Sequence, residues 1–358
     1  MRVLHTEASR GWGGQEIRIL RESQGLRERG HTLFFAVEAG GGLVARAREA
    51  RFPVLELRYA KAHWPLTLLR LIRFIRRNRI ELVVTHSSLD GWVGGLAARL
   101  AGVRVIRVRH LSTPIRPGLN SRVLYGKLAD FVITTCADVV PRIVAQSERD
   151  PATCRSIPTG VEPFTVPAVE TLVYRKQWGE AHFIVGMACM MRSWKGIDDF
   201  LEAAHSLRHL PDLKWVIIGG GHEERYRRRA AELKLEGIVH FTGHLDNPFP
   251  AIAALDSFAL LSTAHEGVSQ AILQAAYLRR PLIATPIGGL PEVCRHEETG
   301  LLVAPRSPEQ VAAAVLKMKR DPTLRNKWGD AARKLVEREF LFSKTLDQME
   351  AVMRGLSY

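Results

Sequence analysis

The chain has 358 residues, 46% hydrophobic and 25% charged, a composition that excludes disorder and allows two domains with substantial cores. No run approaches the roughly 18 apolar residues of a membrane-spanning helix, and Met1-Arg-Val-Leu-His5 reads as a first strand rather than a signal peptide, so a cytosolic protein is expected. The net charge of +14 calls for an anionic partner, but no nucleic-acid-binding motif or stacking-aromatic pattern accompanies it, so nucleic acid is not expected.

In chain order, short apolar runs alternate with amphipathic segments. Strands are expected at Val3-Leu4-His5, Thr32 to Val37, Leu82 to His86, Val105 to Arg109 and Phe131 to Thr135, with helices over Glu16–Arg29, Leu66–Asn78 and Gly91–Leu100. A Pro-bearing stretch, Ile157 to Pro167, interrupts the pattern. It restarts with strands at Phe183–Ala188, Trp215–Gly219, Ser257–Leu261 and Leu282–Thr285. This βαβ grammar predicts an α/β protein of two Rossmann-like, doubly wound domains facing across a cleft, with ligands at the carboxyl ends of the strands. The expected boundaries are 1–165, 166–340, and a C-terminal helix over 341–358 that returns toward the first domain.

Charge is unevenly divided. Residues 1–165 hold 26 Lys and Arg against 14 Asp and Glu, net +12, whereas residues 166–358 hold 25 against 23, net +2. Lys61 to Arg79 is free of acid and carries Arg70, Arg73, Arg76, Arg77 and Arg79 beside Trp64, Leu68, Leu71, Ile72 and Ile75, the pattern of a basic amphipathic helix. A second acid-free window runs from Arg99 to Lys127. Such a face suits an anionic membrane surface or a phosphorylated acceptor, or is a solvated surface of a helix packed on a sheet. The four cysteines, Cys136, Cys154, Cys189 and Cys294, lack metal-ligand or redox spacing and read as reduced thiols.

Glycine-marked turns follow the strands. Gly11-Trp-Gly-Gly-Gln-Glu16 opens a helix whose positive end suits an anion near Gly13 and Gly14. It is neither a dinucleotide fingerprint nor a P-loop. Gly219-Gly-Gly221 and Thr285-Pro-Ile-Gly-Gly-Leu-Pro-Glu292 close two later strands, and each taken alone reads first as a tight turn. Arg192-Ser-Trp-Lys-Gly196 sets two cations at the carboxyl end of a strand, placed for a diphosphate leaving group or merely solvated. Ser262 to Leu278 puts Glu266 in a loop and Gln274 on the following helix. Thr85-His-Ser-Ser-Leu-Asp-Gly91 offers His86, Ser87 and Asp90 either to an acceptor or as a helix cap.

Taken together, Gly13-Gly14-Gln-Glu16, Ile157-Pro-Thr-Gly-Val161, Lys195-Gly196, Phe241-Thr-Gly243, Glu266-Gly267 with position 274, Gly288-Gly-Leu-Pro-Glu292 and Thr299-Gly-Leu-Leu-Val303 resemble glycosyltransferase family 4, in order and over nearly the whole chain. The resemblance implies a GT-B fold and retaining, metal-independent transfer from a nucleotide-sugar co-substrate, UDP-sugar favoured, without a further cofactor. It assigns Lys195 to the donor diphosphate, Glu266 to the hydroxyls of the transferred sugar, and His110 to that sugar near the reacting carbon. Donor contacts are expected from Gly13, Gly14, Gly219, Gly220, Thr242, Gly243, Gly267, Val268, Ser269 and Gln274, and acceptor contacts from His86, Ser87, Asp90 and Arg109. Two positions depart from the family pattern. Met190 stands where an arginine is usual, with Arg192 as its expected substitute, and Gln274 stands where a second glutamate is usual, a neutral group that both donates and accepts.

The expected activity is glycosyl transfer to a lipid-linked or phosphorylated oligosaccharide, in lipopolysaccharide core, O-antigen or capsule assembly, at the inner membrane face. The alternatives are a nucleotide-sugar epimerase and a non-catalytic sugar-nucleotide-binding subunit.

Overall fold

The computed structural model describes residues 1–110, 113 and 115–356. Three positions of the acid-free window, 111, 112 and 114, and the last two of the expected C-terminal helix lie outside them. The chain forms two compact units, Met1–Pro158 with Thr345–Tyr358, and Thr159–Lys344.

The first unit holds seven parallel strands: β1 (Arg2–Glu7), β2 (Thr32–Glu38), β3 (Val54–Leu57), β4 (Leu82–Thr85), β5 (Arg104–Arg109), β6 (Phe131–Thr134) and β7 (Cys154–Ser156). Their order is β3-β2-β1-β4-β5-β6-β7. Crossovers include helices α1 (Gly14–Glu28), α2 (Gly42–Glu49), α3 (Trp64–Arg77) and α4 (Ser88–Ala101). Leu71 and Ile75 of α3 pack with Leu4, Phe34, Val83 and Val93 in one apolar cluster, which places the arginines of the helix on the outside. The chain's last helix, Phe342–Gly355, is tied into this unit by Thr345 Oγ1, which donates to Pro158 O at 3.0 Å. Arg29 adds bonds to Asp347 at 2.7 Å and Glu350 at 2.9 Å.

The second unit has six parallel strands, β8 (Phe183–Ala188), β9 (Leu213–Ile218), β10 (Val239–Phe241), β11 (Ser257–Leu260), β12 (Leu282–Ala284) and β13 (Gly300–Leu302), ordered β10-β9-β8-β11-β12-β13. Its core includes Phe200, Trp215, Tyr226 and Trp328, with Phe200 meeting Trp215 edge-on at a centroid distance of 4.8 Å.

The four strands absent from the sequence reading are β3, β7, β10 and β13, the two edges of each sheet. An edge strand is short and has a neighbour on one side only, so its sequence needs no continuous apolar run. Cys154-Arg-Ser156 and Val239-His-Phe241 carry no such run.

Parallel strands leave polar residues at their carboxyl ends, and in the first unit these are buried. Asp90, fully buried, accepts hydrogen bonds from Thr6 Oγ1 at 2.8 Å, from His86 N at 2.8 Å and from Ser87 N at 2.6 Å. It thus closes a capping box at the start of α4. Glu7, also buried, accepts from Ser9 N at 2.7 Å and from the Gln15 side chain. Burial, reinforced by the nearby Asp90 carboxylate, pushes the Glu7 carboxyl from the ordinary 4.5 up to about 8.

In the second unit the loops after the strands turn through glycines that no other residue replaces cheaply. Gly196 has φ +69°, and a Cβ there would lie 2.0 Å from Leu261 O; at Gly288, φ +57°, it would lie 1.8 Å from Glu266 O. Gly196→Ala is therefore expected to cost about 3 kcal/mol in denaturant unfolding, against a change near zero for an alanine at exposed Gly355.

Between the ordinary and the folded pKa of Glu7, the unfolded chain has released a proton that the folded chain keeps, so this residue makes stability fall as pH rises from 4.5 to about 8. Buried His5, lowered from 6.5 to about 4, acts the other way only below 6.5. Glu7→Gln should therefore raise the melting temperature over wild type at pH 8.5, with a gain that shrinks toward pH 5.5.

Candidate active site

In the second unit, the loop after β8 and the loop after β11 meet. Thr263 N donates to Trp194 O at 2.8 Å, which brings Lys195 beside Glu266. The Lys195 ammonium forms an ion pair with Glu266 Oε1, and Ser262 Oγ donates to the same oxygen at 2.6 Å. Ser262 O in turn accepts from Thr285 Oγ1 at 2.6 Å, so the ends of β11 and β12 are tied beneath the pair. A buried carboxylate needs such a partner, and Glu266 is only 5% exposed. The pair leaves a cation and a hydrogen-bonding carboxylate at one place.

Beside the ends of β8 and β9 is a cavity of about 540 Å³ lined by Gly219, Gly220, Gly221, Gln270 and Gln274 among others. Gly219 N donates to Gly243 O at 3.0 Å, which sets the Thr242-Gly243 turn against the glycine run. Gly267, Val268 and Ser269 lead into the helix Gln270–Tyr277, with Ser269 at its N-cap. Gln274 faces the cavity, while the neighbouring Gln270, which sequence reasoning missed, spends its amide on Thr159 O at 2.9 Å.

Arg192 is not brought to the Lys195–Glu266 pair. Its guanidinium lies over the Trp194 ring, 5.2 Å from the centroid, and contacts Met190 Sδ at 3.4 Å. Met190 itself is 58% exposed.

In the first unit, Gly13 is the N-cap of α1, and its amide donates to Glu16 Oε2 at 2.8 Å. A ligand would have to displace that carboxylate to use it. The space over Gly14 is open. The residues after β4 lie deeper than a projecting loop would: His86 and Asp90 are buried, Ser87 is half-buried, and the Ser87 hydroxyl bonds Asp90. The capping alternative thus describes Asp90.

Arg109 is held by Tyr125 Oη at 2.8 Å and Thr113 Oγ1 at 2.8 Å. It lines a second cavity of about 570 Å³ with Ser88, Trp92, Arg116, Asn120 and Tyr125. Arg116 belongs to the acid-free window from Arg99 to Lys127, whereas Trp92 was missed for want of a motif.

His110, which follows β5, is joined to His86 by an Nε2 to Nδ1 contact of 3.0 Å, and His86 Nε2 is joined to His5 Nδ1 at 2.9 Å. Burial, then the other histidines and the cations of Arg107 and Arg18, holds His86 well below the ordinary imidazole range. Burial, then Arg18 and Arg107, does the same for His110. All three rings are neutral at pH 7.

The thiols of Cys154, Cys189 and Cys294 are pushed by burial to about 11, 12 and 12, which leaves them unreactive. No described helix is long and apolar enough to cross a membrane.

Residues 12–163 match the model of Glycosyltransferase Family 4, and residues 170–335 match that of Glycosyl transferases group 1. The chain is 24% identical over 293 residues to N-acetyl-alpha-D-glucosaminyl L-malate synthase of Bacillus anthracis, covering 79% of this chain and 77% of that protein. It is 28% identical over 147 residues to the lipopolysaccharide core biosynthesis glycosyltransferase LpsE of Rhizobium meliloti, covering 41% and 42%. Among solved structures, Anabaena HepE in complex with UDP shares the fold at a TM-score of 0.88 and 20% identity, over 99% of this chain and 100% of that one. The two family matches divide nearly the whole length between them, each on one doubly wound sheet, and the chain belongs to the family 4 glycosyltransferases of the GT-B fold.

Proposed function

We propose that this glycosyltransferase moves a sugar, with retention and without a metal ion, from a nucleotide-sugar to a lipid-linked or phosphorylated glycan of the lipopolysaccharide core, O-antigen or capsule type. The observation that carries the donor half is the Lys195–Glu266 pair close in sequence and fold to a glycine-lined cavity. Lys195 takes the diphosphate, and Glu266, relieved of its partner, accepts from the hydroxyls of the transferred sugar. Gln274 and the turns at Gly219-Gly220 and Thr242-Gly243 receive the nucleoside, with the amides of Gly267, Val268 and Ser269 near the phosphates. UDP is the favoured nucleotide, supported by its presence in the Anabaena relative. As the bond from the sugar's anomeric carbon to phosphate oxygen breaks, the acceptor oxygen bonds that carbon on the same face and its proton passes to the departing phosphate. The protein's part is positioning and stabilisation of the leaving charge.

For the acceptor we infer the cavity beside Arg109. The face of Trp92 suits a sugar ring, and exposed Arg116 suits a phosphate on it. LpsE, by its name, acts in lipopolysaccharide core biosynthesis. The outer face of α3 supports attachment to the cytoplasmic side of the inner membrane: Leu66 and Leu69 are each 61% exposed, Leu96 and Leu100 of adjoining α4 are exposed as well, and Arg70, Arg73, Arg76 and Arg77 surround them.

Lys195→Ala should lower kcat by about 100- to 1000-fold in a nucleotide-sugar consumption assay with a lipopolysaccharide-core acceptor; undiminished turnover removes the assignment. In vesicle flotation, binding should require anionic lipid and weaken with salt, and each of Arg73→Glu and Arg77→Glu should weaken it by about fivefold or more.

A further inference from the structure

The carboxyl ends of β1, β4 and β5, adjacent in the sheet, each present one histidine, and the three rings form a column. The His5 and His86 rings lie edge to edge and nearly coplanar, centroids 5.2 Å apart at 12°, His86 and His110 lie 5.2 Å apart at 32°, and Phe35 of β2 is 5.8 Å from His5. Two nitrogen-to-nitrogen bonds join the rings, His5 Nδ1 to His86 Nε2 and His86 Nδ1 to His110 Nε2. The sequence reading gives His110 to the transferred sugar and His86 to the acceptor, and gives His5 no part.

Each neutral imidazole carries one N–H, and each of the two bonds needs one donor and one acceptor. Only two proton arrangements satisfy both bonds. In one, His5 and His86 carry the proton on Nδ1 and so does His110; in the other, all three carry it on Nε2. The rings therefore share a tautomer, and Nε2 of His110 is committed in either case. His5 Nε2, at the far end, is buried and has no partner among the described residues. Arg18 and Arg107 bear on the column as cations, while Glu7 ends β1 and Asp90 lies in the first turn of α4.

Resting on the proposed transferase reading, we propose that His5 and His86 are positioning residues that tie the tautomer of the His110 ring to their own and fix its orientation, leaving its Nδ1 as the ring nitrogen open to a ligand. Among the described residues Nδ1 of His110 has no hydrogen-bond partner, whereas Nε2 is tied to His86. A ring held by that bond keeps its free nitrogen at a fixed place in the first unit, and misplacement of a substrate-contacting group by about 1 Å costs up to ~100-fold in rate.

The test is imidazole 15N NMR on the intact protein, with the three histidines assigned by substitution, alongside steady-state kinetics. Wild type should show His5, His86 and His110 neutral from pH 5.5 to 8 and all in the same tautomer. His86→Phe keeps an aromatic ring between His5 and His110 but removes both bonds. It should give tautomer averaging at His110 and a kcat loss of about 10- to 100-fold with the donor KM within about twofold, and His86→Gln, which donates and accepts, should recover part of the rate. His5→Phe, which leaves the His86–His110 bond in place, serves if His86→Phe does not fold, and should show the same changes in smaller measure. Mixed tautomers in wild type, or an unchanged kcat in His86→Phe when His110→Ala is inactive, overturns the positioning role while the transferase reading stands. Full turnover by both His110→Ala and Lys195→Ala overturns the reading itself, whatever the NMR result.

Discussion

A parallel strand covered on both faces by helices has only its ends free for chemistry, and every side chain of interest here obeys that constraint. In the second unit, Lys195 follows β8, the glycine run follows β9, Thr242 and Gly243 follow β10, Glu266 follows β11 and Gly288 follows β12. Each loop must leave its strand and reach a helix within a few residues, which forces tight turns and close backbone approach. The cost of that crowding is visible at Gly196 and Gly288, where a single added carbon would collide with a carbonyl of the loop that carries Glu266 or of its strand. The same crowding sets Lys195 against Glu266, so the cation and carboxylate are held by the turns rather than by long flexible stems.

The first unit obeys the constraint with a different chemistry. Its strand ends carry His5, Glu7, His86, Arg107 and His110, and most of them are buried. Burial of so many polar groups is tolerable only if nearly all are hydrogen-bonded or uncharged. Both solutions occur: Asp90 is surrounded by donors, and the three histidines stay neutral and bond one another. The second unit's site pairs opposite charges, whereas the three histidines at the first unit's strands carry none.

Much of the fold was legible in the sequence because buried central strands and amphipathic helices leave periodic apolar signatures. β1, β2, β4, β5, β6, β8, β9, β11 and β12 coincide with expected strands to within a few residues at either end. The four edge strands did not register, since three or four residues with one neighbouring strand need no apolar run. In the candidate site, Lys195 and Glu266 stood out by motif, and the structure brings them together. Arg192 was expected at the diphosphate, as one of two cations at a strand end and as the substitute for the arginine usual at Met190, but its side chain lies over Trp194, a choice that sequence distance does not make. Likewise the run Thr85 to Gly91 shows a cap and a possible ligand group equally, and only burial at Asp90 distinguishes them.

The sequence by itself determined the two-unit α/β architecture, the family, and the concentration of positive charge in the first 165 residues, because these depend on composition and on local period. Tertiary structure alone decided which polar groups meet. The histidines at 5, 86 and 110 lie far apart along the chain and become a column only when β1, β4 and β5 are placed side by side in register. Gln270 and Gln274, one helical turn apart, both line the cavity, but the Gln270 amide is spent on the Thr159 carbonyl. Side-chain pairing across strands depends on distances of a few ångströms between residues tens of positions apart, and no local pattern in the chain carries that information.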